Sequence, residues 1–242
     1  MPVFPLLPQA QAYGYPIGIL LLDLVETHVP GDTAHTATYG YPVLFKVVTE
    51  ATVDRVTHGD RAVEAALIAA AQELERAGVC AISTNCGFMI HYQEAVRAAV
   101  RIPVFLSSLL QLPTAVRTMR PDQTLAIMTA FKERLTPEVL RLAGLPEGQK
   151  IAVNSIQTSP EFLNMGHEDL DTDAFEARML AAVEEIFATA AQKGEDIGAV
   201  VLECAVFTPY AAAIQARFKV PVFDFISLID YAHYVTHRRR YF

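Results

Sequence analysis

The sequence predicts an α/β protein made of two similar parallel-sheet domains, with an active site in the cleft between them. Three observations carry this. Short apolar runs alternate with helical segments along the whole chain, as in parallel sheets covered on both faces. Two of these runs stop abruptly at a cysteine, in Ser83-Thr84-Asn85-Cys86-Gly87 and in Leu202-Glu203-Cys204-Ala205. The order of elements also repeats. In each half a long Ala-rich helix stops at a glycine, Gly78 or Gly194. A strand ending in cysteine follows, then a helix, then a Pro-Val-Phe strand at Pro103-Val104-Phe105 or Pro221-Val222-Phe223.

Taken in order, Pro16 to Leu22 is a continuous apolar run and reads as a buried parallel strand ending at Asp23. Leu24 to Tyr41 reads as a long loop turning at Pro30-Gly31-Asp32. Pro42 to Val48 is a second strand. Asp60 to Ala77 is a helix stopped by Gly78, and Val79 to Ser83 is the strand leading to Cys86. A helix over Ile90 to Val100, a strand over Pro103 to Leu106 and a helix over Ser107 to Arg120, with Pro113 inside it, complete the first half. The second half opens with a strand from Thr124 to Met128, ending at Thr129, and a helical segment to Ala143. Lys150 to Ile156 is a strand, Asn164 to Asp173 a polar loop, and Ala174 to Lys193 a long helix. Ile197 to Leu202 leads to Cys204. A helix over Tyr210 to Phe218, a strand over Val220 to Phe223 and a closing helix from Phe225 to Arg240 follow.

Composition narrows the function. The 242 residues are 52% hydrophobic and 19% charged, enough for a large core. A net charge of −8 leaves no basic face for nucleic acid. Three cysteines without a C-x-x-C pair do not form a disulfide framework, so a cytoplasmic location is expected. Met1 to Pro16 carries no basic residue and does not read as a signal peptide, and no apolar run is long enough for a membrane span. The seven histidines show no zinc-ligand spacing with the cysteines, and no phosphate-binding glycine motif is present. Neither metal nor cofactor is expected. The expected partners are a small-molecule substrate and a second copy of the chain, as a homodimer.

Ligands of open parallel sheets bind beyond the carboxyl ends of the strands. Cys86, Cys204, Asp23 and Thr129 all fall at such ends. A thiol at a helix N-terminus has its thiolate stabilised and can serve as base or nucleophile. Both Cys86 and Cys204 are expected there. Cys80, inside Val79-Cys80-Ala81-Ile82, reads instead as a small buried hydrophobe.

The two strand-end cysteines, in Ser-Thr-Asn-Cys-Gly-Phe and Leu-Glu-Cys-Ala, together with Asp23, give the chain a resemblance to the aspartate/glutamate racemase superfamily. That group includes hydantoin racemases, maleate isomerases and arylmalonate decarboxylases. The resemblance implies two Rossmann-like domains, 1–118 with 225–242 and 119–224, the C-terminal helix returning to the first. It also implies cofactor-independent proton transfer at carbon, one thiolate removing a proton and the opposed thiol returning one. On this reading the chain is a racemase or epimerase of a small amino acid or related carbon acid. Catalysis falls to Cys86 and Cys204. Substrate contacts fall to Asp23, to Asn85, Thr129 and Thr208, and to the backbone of Gly87 and Ala205. Gly87-Phe88 stand where aspartate and glutamate racemases usually have Asn-Thr, and Glu203 where they often have Gly. The motif support for those two substrates is therefore absent. A one-cysteine isomerase, a decarboxylase and a non-catalytic binding protein are the alternatives. The sequence assigns no role to Glu203 or His167.

Overall fold

The computed structural model describes residues 6–10 and 12–242; part of the N-terminal stretch read against a signal peptide lies outside them. The first sheet is built from β1 (Ile17–Leu22), β2 (Val43–Val48), β3 (Ala81–Thr84) and β4 (Val104–Phe105). The second is built from β5 (Thr124–Thr129), β6 (Ile151–Ser155), β7 (Ile197–Leu202) and β8 (Val222–Phe223). All pairings are parallel, in the orders β2-β1-β3-β4 and β6-β5-β7-β8. The sheets are thus equivalent strand for strand, as the repeated element order predicts. The central strands are the ones with unbroken apolar runs: every residue of β5 is buried, and all of β1 except Leu21.

The helices are α1 (Val53–Thr57), α2 (Glu64–Arg76), α3 (Gln93–Ala99) and α4 (Leu112–Thr118) in the first half. In the second they are α5 (Pro137–Leu142), α6 (Pro160–Leu163), α7 (Thr172–Gln192), α8 (Ala211–Phe218) and α9 (Phe225–Thr236). Two short helices, α1 and α6, escape the sequence reading because five and four residues carry no readable period. Pro113 sits in the first turn of α4, where its missing N–H has no partner to lose, and not inside a longer helix. A six-residue 3₁₀ turn, Gly87–Tyr92 or Ala205–Tyr210, stands between each cysteine and the α-helix that follows.

The two sheets exchange helices. Leu112 and Ala115 of α4 pack with Leu125, Ile127, Ala199 and Val201 of the second sheet. Phe225, Ile229 and Ala232 of α9 pack with Ile17, Ile19 and Ala81 of the first. Asp224 starts α9 with a capping box: its Oδ1 accepts from the Ser227 N–H at 2.7 Å, and Ser227 Oγ accepts from the Asp224 N–H at 2.9 Å. Each sheet therefore buries one face only by borrowing a helix from the other half.

This exchange predicts a single cooperative unfolding transition. Phe225→Ala, at a fully buried position, should cost about 3–5 kcal/mol in denaturant unfolding. Fluorescence and circular dichroism should still report coincident midpoints. Separate transitions for the two halves would show that the exchanged helices do not couple them.

Candidate active site

β3 and β7 occupy the same place in their sheets, and each delivers a cysteine at its carboxyl end. Cys86 and Cys204 are the N-caps of the two 3₁₀ turns and line one pocket of about 250 Å³. Leu22, Leu24, Val25 and Met165 form apolar walls with Phe88, Phe131 and Phe162. Phe131 lies tilted against Phe88 at 6.5 Å and edge-on to Phe162 at 6.0 Å, so the three rings make one aromatic wall. Two carboxylates, Glu26 and Glu203, face the same space. Among the described residues no lysine, arginine or histidine lines it.

The residues preceding the two cysteines are also equivalent, and each ties down the end of the neighbouring strand. Asn85 Oδ1 accepts from the Leu22 N–H of β1 at 3.0 Å. Only an oxygen can accept there, so the amide NH₂ is turned away from the strand. Glu203 does the corresponding work in the second sheet. Its Oε2 accepts from Thr129 Oγ1 at 2.9 Å and from the Ala130 N–H at 3.0 Å. The N–H groups of Gly87 and Phe88, from the first half, reach the same carboxylate. A Cβ on Gly87 would lie 2.6 Å from Glu203 Cγ and 2.6 Å from its carbonyl oxygen, so only glycine allows this approach.

Burial raises Glu203 from the ordinary 4.5 to about 7, although the hydrogen bonds from Ala130, Thr129, Gly87 and Phe88 pull the other way. Burial also raises Glu26 to about 7, with His28 opposing. His28 Nδ1 lies 3.8 Å from Glu26 and 3.3 Å from Asp32, and that pairing with Asp32 raises the imidazole.

Both thiols are pushed well above the usual range, first by burial and next by the Glu203 carboxylate. The N–H groups of Phe88 and Met89 reach Cys86 and oppose this, as does that of Val206 at Cys204. The expectation of thiolates stabilised by helix N-termini is thereby corrected. The donors are present, but desolvation and a neighbouring negative charge outweigh them. Cys80 is also corrected: it is half-exposed at the amino edge of β3, its sulfur 3.7 Å from His237 Nε2.

The other residues expected at the site are placed unevenly. Asn85 lines the pocket. Asp23 is exposed and does not line it; its backbone N–H bonds the Ala51 carbonyl. Gly87 contacts Glu203, and Thr129 uses its hydroxyl on the same carboxylate. Ala205 is buried in the layer beneath α9. The Thr208 hydroxyl donates to the Ala205 carbonyl at 2.7 Å and to the Gly31 carbonyl, fastening the first-half loop to the second half. His167 is exposed at the outer rim beside Glu26 and Gly166. Glu26 and the two phenylalanines of the second half, Phe131 and Phe162, escaped the sequence reading because loops and short turns carry no periodicity. Glu203 was visible as the counterpart of Asn85, once the halves are aligned by element order.

Among the described residues no cluster of three or more His, Cys, Asp or Glu side chains is placed to hold a metal ion, and no helix is long and apolar enough to cross a membrane. Paired thiols at matching strand ends of two parallel sheets are the centre of this pocket. The chain belongs to the Asp/Glu/hydantoin racemase family, whose model matches residues 32–229. It is 30% identical over 218 residues to dimethylsulfoniopropionate lyase 3 of Emiliania huxleyi, covering 87% of this chain and 57% of that protein. A second lyase of the same organism, dimethylsulfoniopropionate lyase 7, is 30% identical over 221 residues, covering 88% of this chain and 65% of that one. The chain thus spans less than two thirds of the length of these two relatives. In fold it resembles unliganded arylmalonate decarboxylase, with a TM-score of 0.61 at 17% identity over 93% of both chains.

Two outcomes follow from the electrostatics. With both pocket thiols held neutral, brief iodoacetamide treatment at neutral pH should label Cys80 before Cys86 or Cys204, as read by peptide mapping. Faster labelling of either pocket thiol would contradict the assigned charge state. Glu203 binds its proton more tightly when folded than when unfolded. Its contribution to stability is therefore complete below about 4.5 and lost as the pH rises through about 7. The change is on the order of 3 kcal/mol. Glu203→Gln should remove this part of the pH dependence in urea unfolding; an unchanged profile would place the proton elsewhere.

Proposed function

We propose that the protein is a lyase that eliminates a dialkyl sulfide from a small sulfoniocarboxylate, with dimethylsulfoniopropionate as the reference substrate. The observation that carries this reading is the pocket itself: two thiols, an aromatic wall and two carboxylates, with no basic side chain lining it. Such a lining suits a substrate carrying a soft cation. Aromatic faces attract onium groups, and the carboxylates supply the opposite charge. The dimethylsulfoniopropionate lyases among its relatives support the same choice.

In the resting site the thiols stay protonated beside Glu203. A bound sulfonium offsets that charge, so the Cys86 thiol gives up its proton to solvent and becomes a thiolate. Cys86, adjoining Asn85 in the pocket, serves as the base. Its sulfur takes a proton from the carbon next to the substrate carboxylate. The electron pair left behind forms the carbon–carbon double bond, and the carbon–sulfur bond breaks to release a neutral dialkyl sulfide. The Asn85 amide NH₂ is the donor nearest at hand for the substrate carboxylate, whose partial enolate charge it stabilises.

Racemisation is the second reading, favoured by the equivalence of Cys86 and Cys204 in the two sheets. The two readings separate in one experiment. Under the lyase reading the wild type releases dimethyl sulfide from dimethylsulfoniopropionate, measured by headspace gas chromatography. Cys86→Ser should lower kcat/KM by about 10²–10⁴-fold, and Cys204→Ser by less. Absence of sulfide release, with solvent deuterium entering a chiral acid and both variants equally inactive, would establish the racemase instead.

A further inference from the structure

The two halves differ at one position where their equivalence is otherwise close. Asn85 and Glu203 each precede the cysteine, and each anchors the end of the neighbouring central strand. The first half does this with a neutral amide and the second with a carboxylate. The carboxylate is 1% exposed, yet it is also one of the pocket's lining residues. It accepts from Thr129 Oγ1 and the Ala130 N–H at the end of β5, and the backbone of Gly87 and Phe88 after β3 lies close against the same carboxylate. A side-chain carboxylate thus occupies the place where donors from both halves converge beside the thiols.

We infer that Glu203 is the specificity-determining residue for substrate charge: it fills, from within the chain, a hydrogen-bonding anion cradle at the thiols, and so reserves the pocket for substrates carrying a cation beside the reacting carbon. A substrate with a second carboxylate at that position meets donors already taken and a fixed like charge. A substrate with an onium group there meets a partner. Gly87 and Thr129 belong to the same device, the first by making room for Glu203 and the second by holding it. The ionisable groups that share the space are Cys86, Cys204 and Glu26, with His28 and Asp32 facing Glu26. Glu203 and Glu26 both titrate at about 7, so the preference for a cation should weaken as the medium is acidified.

This inference rests on the lyase reading for the class of substrate, but its test needs no turnover. Two unreactive probes are compared by calorimetry: trimethylammoniopropanoate, the quaternary-ammonium analogue of the sulfonium, and malonate, a dianion of similar length. The wild type should bind the first and not detectably the second. In Glu203→Gln, which restores the neutral amide of the first half, affinity for the ammonium probe should fall at least tenfold and malonate should become a measurable ligand. An unchanged ranking of the two probes would overturn the assignment.

Should Glu203→Gln fail to fold, Glu26→Gln provides the second arm, leaving Glu203 as the only pocket carboxylate. There the ratio of ammonium to malonate affinity should drop at least tenfold between about pH 8 and about pH 6. A ratio that does not move would overturn the inference equally. A wild type that binds the ammonium probe but releases no sulfide defeats the lyase reading alone. Sulfide release with a charge preference indifferent to Glu203 defeats this inference alone.

Discussion

The carboxylate of Glu203 is a charge buried between two sheets and held by donors from both. Removing a carboxylate from water is costly, and the hydrogen bonds from Thr129 and Ala130, with the Gly87 and Phe88 backbone close by, offset that only while these groups stay in place. The requirement reaches into the surrounding sequence. Residue 87 must be glycine to let the carboxylate approach, and Thr129 must present a hydroxyl. The same charge adds to burial in holding both thiols protonated.

The exchange of helices explains how such a junction is kept rigid. The helix after β4 crosses to the second sheet, and the helix after β8 crosses back to the first. Neither sheet can drift without uncovering an apolar face on the other. Thr208 adds a polar tie to the Gly31 carbonyl, joining the long loop of the first half to the 3₁₀ turn after Cys204. A site assembled from two sheets needs this precision, because small misplacements of acid–base groups are expensive in rate.

The layout was legible in the sequence because parallel strands leave an unmistakable trace. Runs such as Ile17–Leu22 and Ile197–Leu202 are apolar throughout, and their endings at Asp23 and Cys204 mark the sheet edge. The cysteine pair followed from that. The pocket walls did not. Phe131 caps a short turn and Phe162 lies in the four-residue α6, while Glu26 sits in an irregular loop; such segments are positioned by tertiary contacts. The sign of the thiol shifts was also out of reach. A helix N-terminus is readable from sequence, whereas the depth of burial and the nearness of Glu203 are properties of the folded chain. Asp23 shows the opposite failure: a strand end brings a residue to the edge of the sheet without deciding whether it faces inward.

Keeping two thiols protonated at rest has a consequence for endurance. Peroxides attack the thiolate, and a neutral buried thiol is a poor target. The resting protein is thereby sheltered from oxidants, even though it carries two reactive sulfurs in one pocket. On the proposed reading, exposure begins only when a cationic ligand favours loss of a proton, so vulnerability is confined to the working protein and scales with its use.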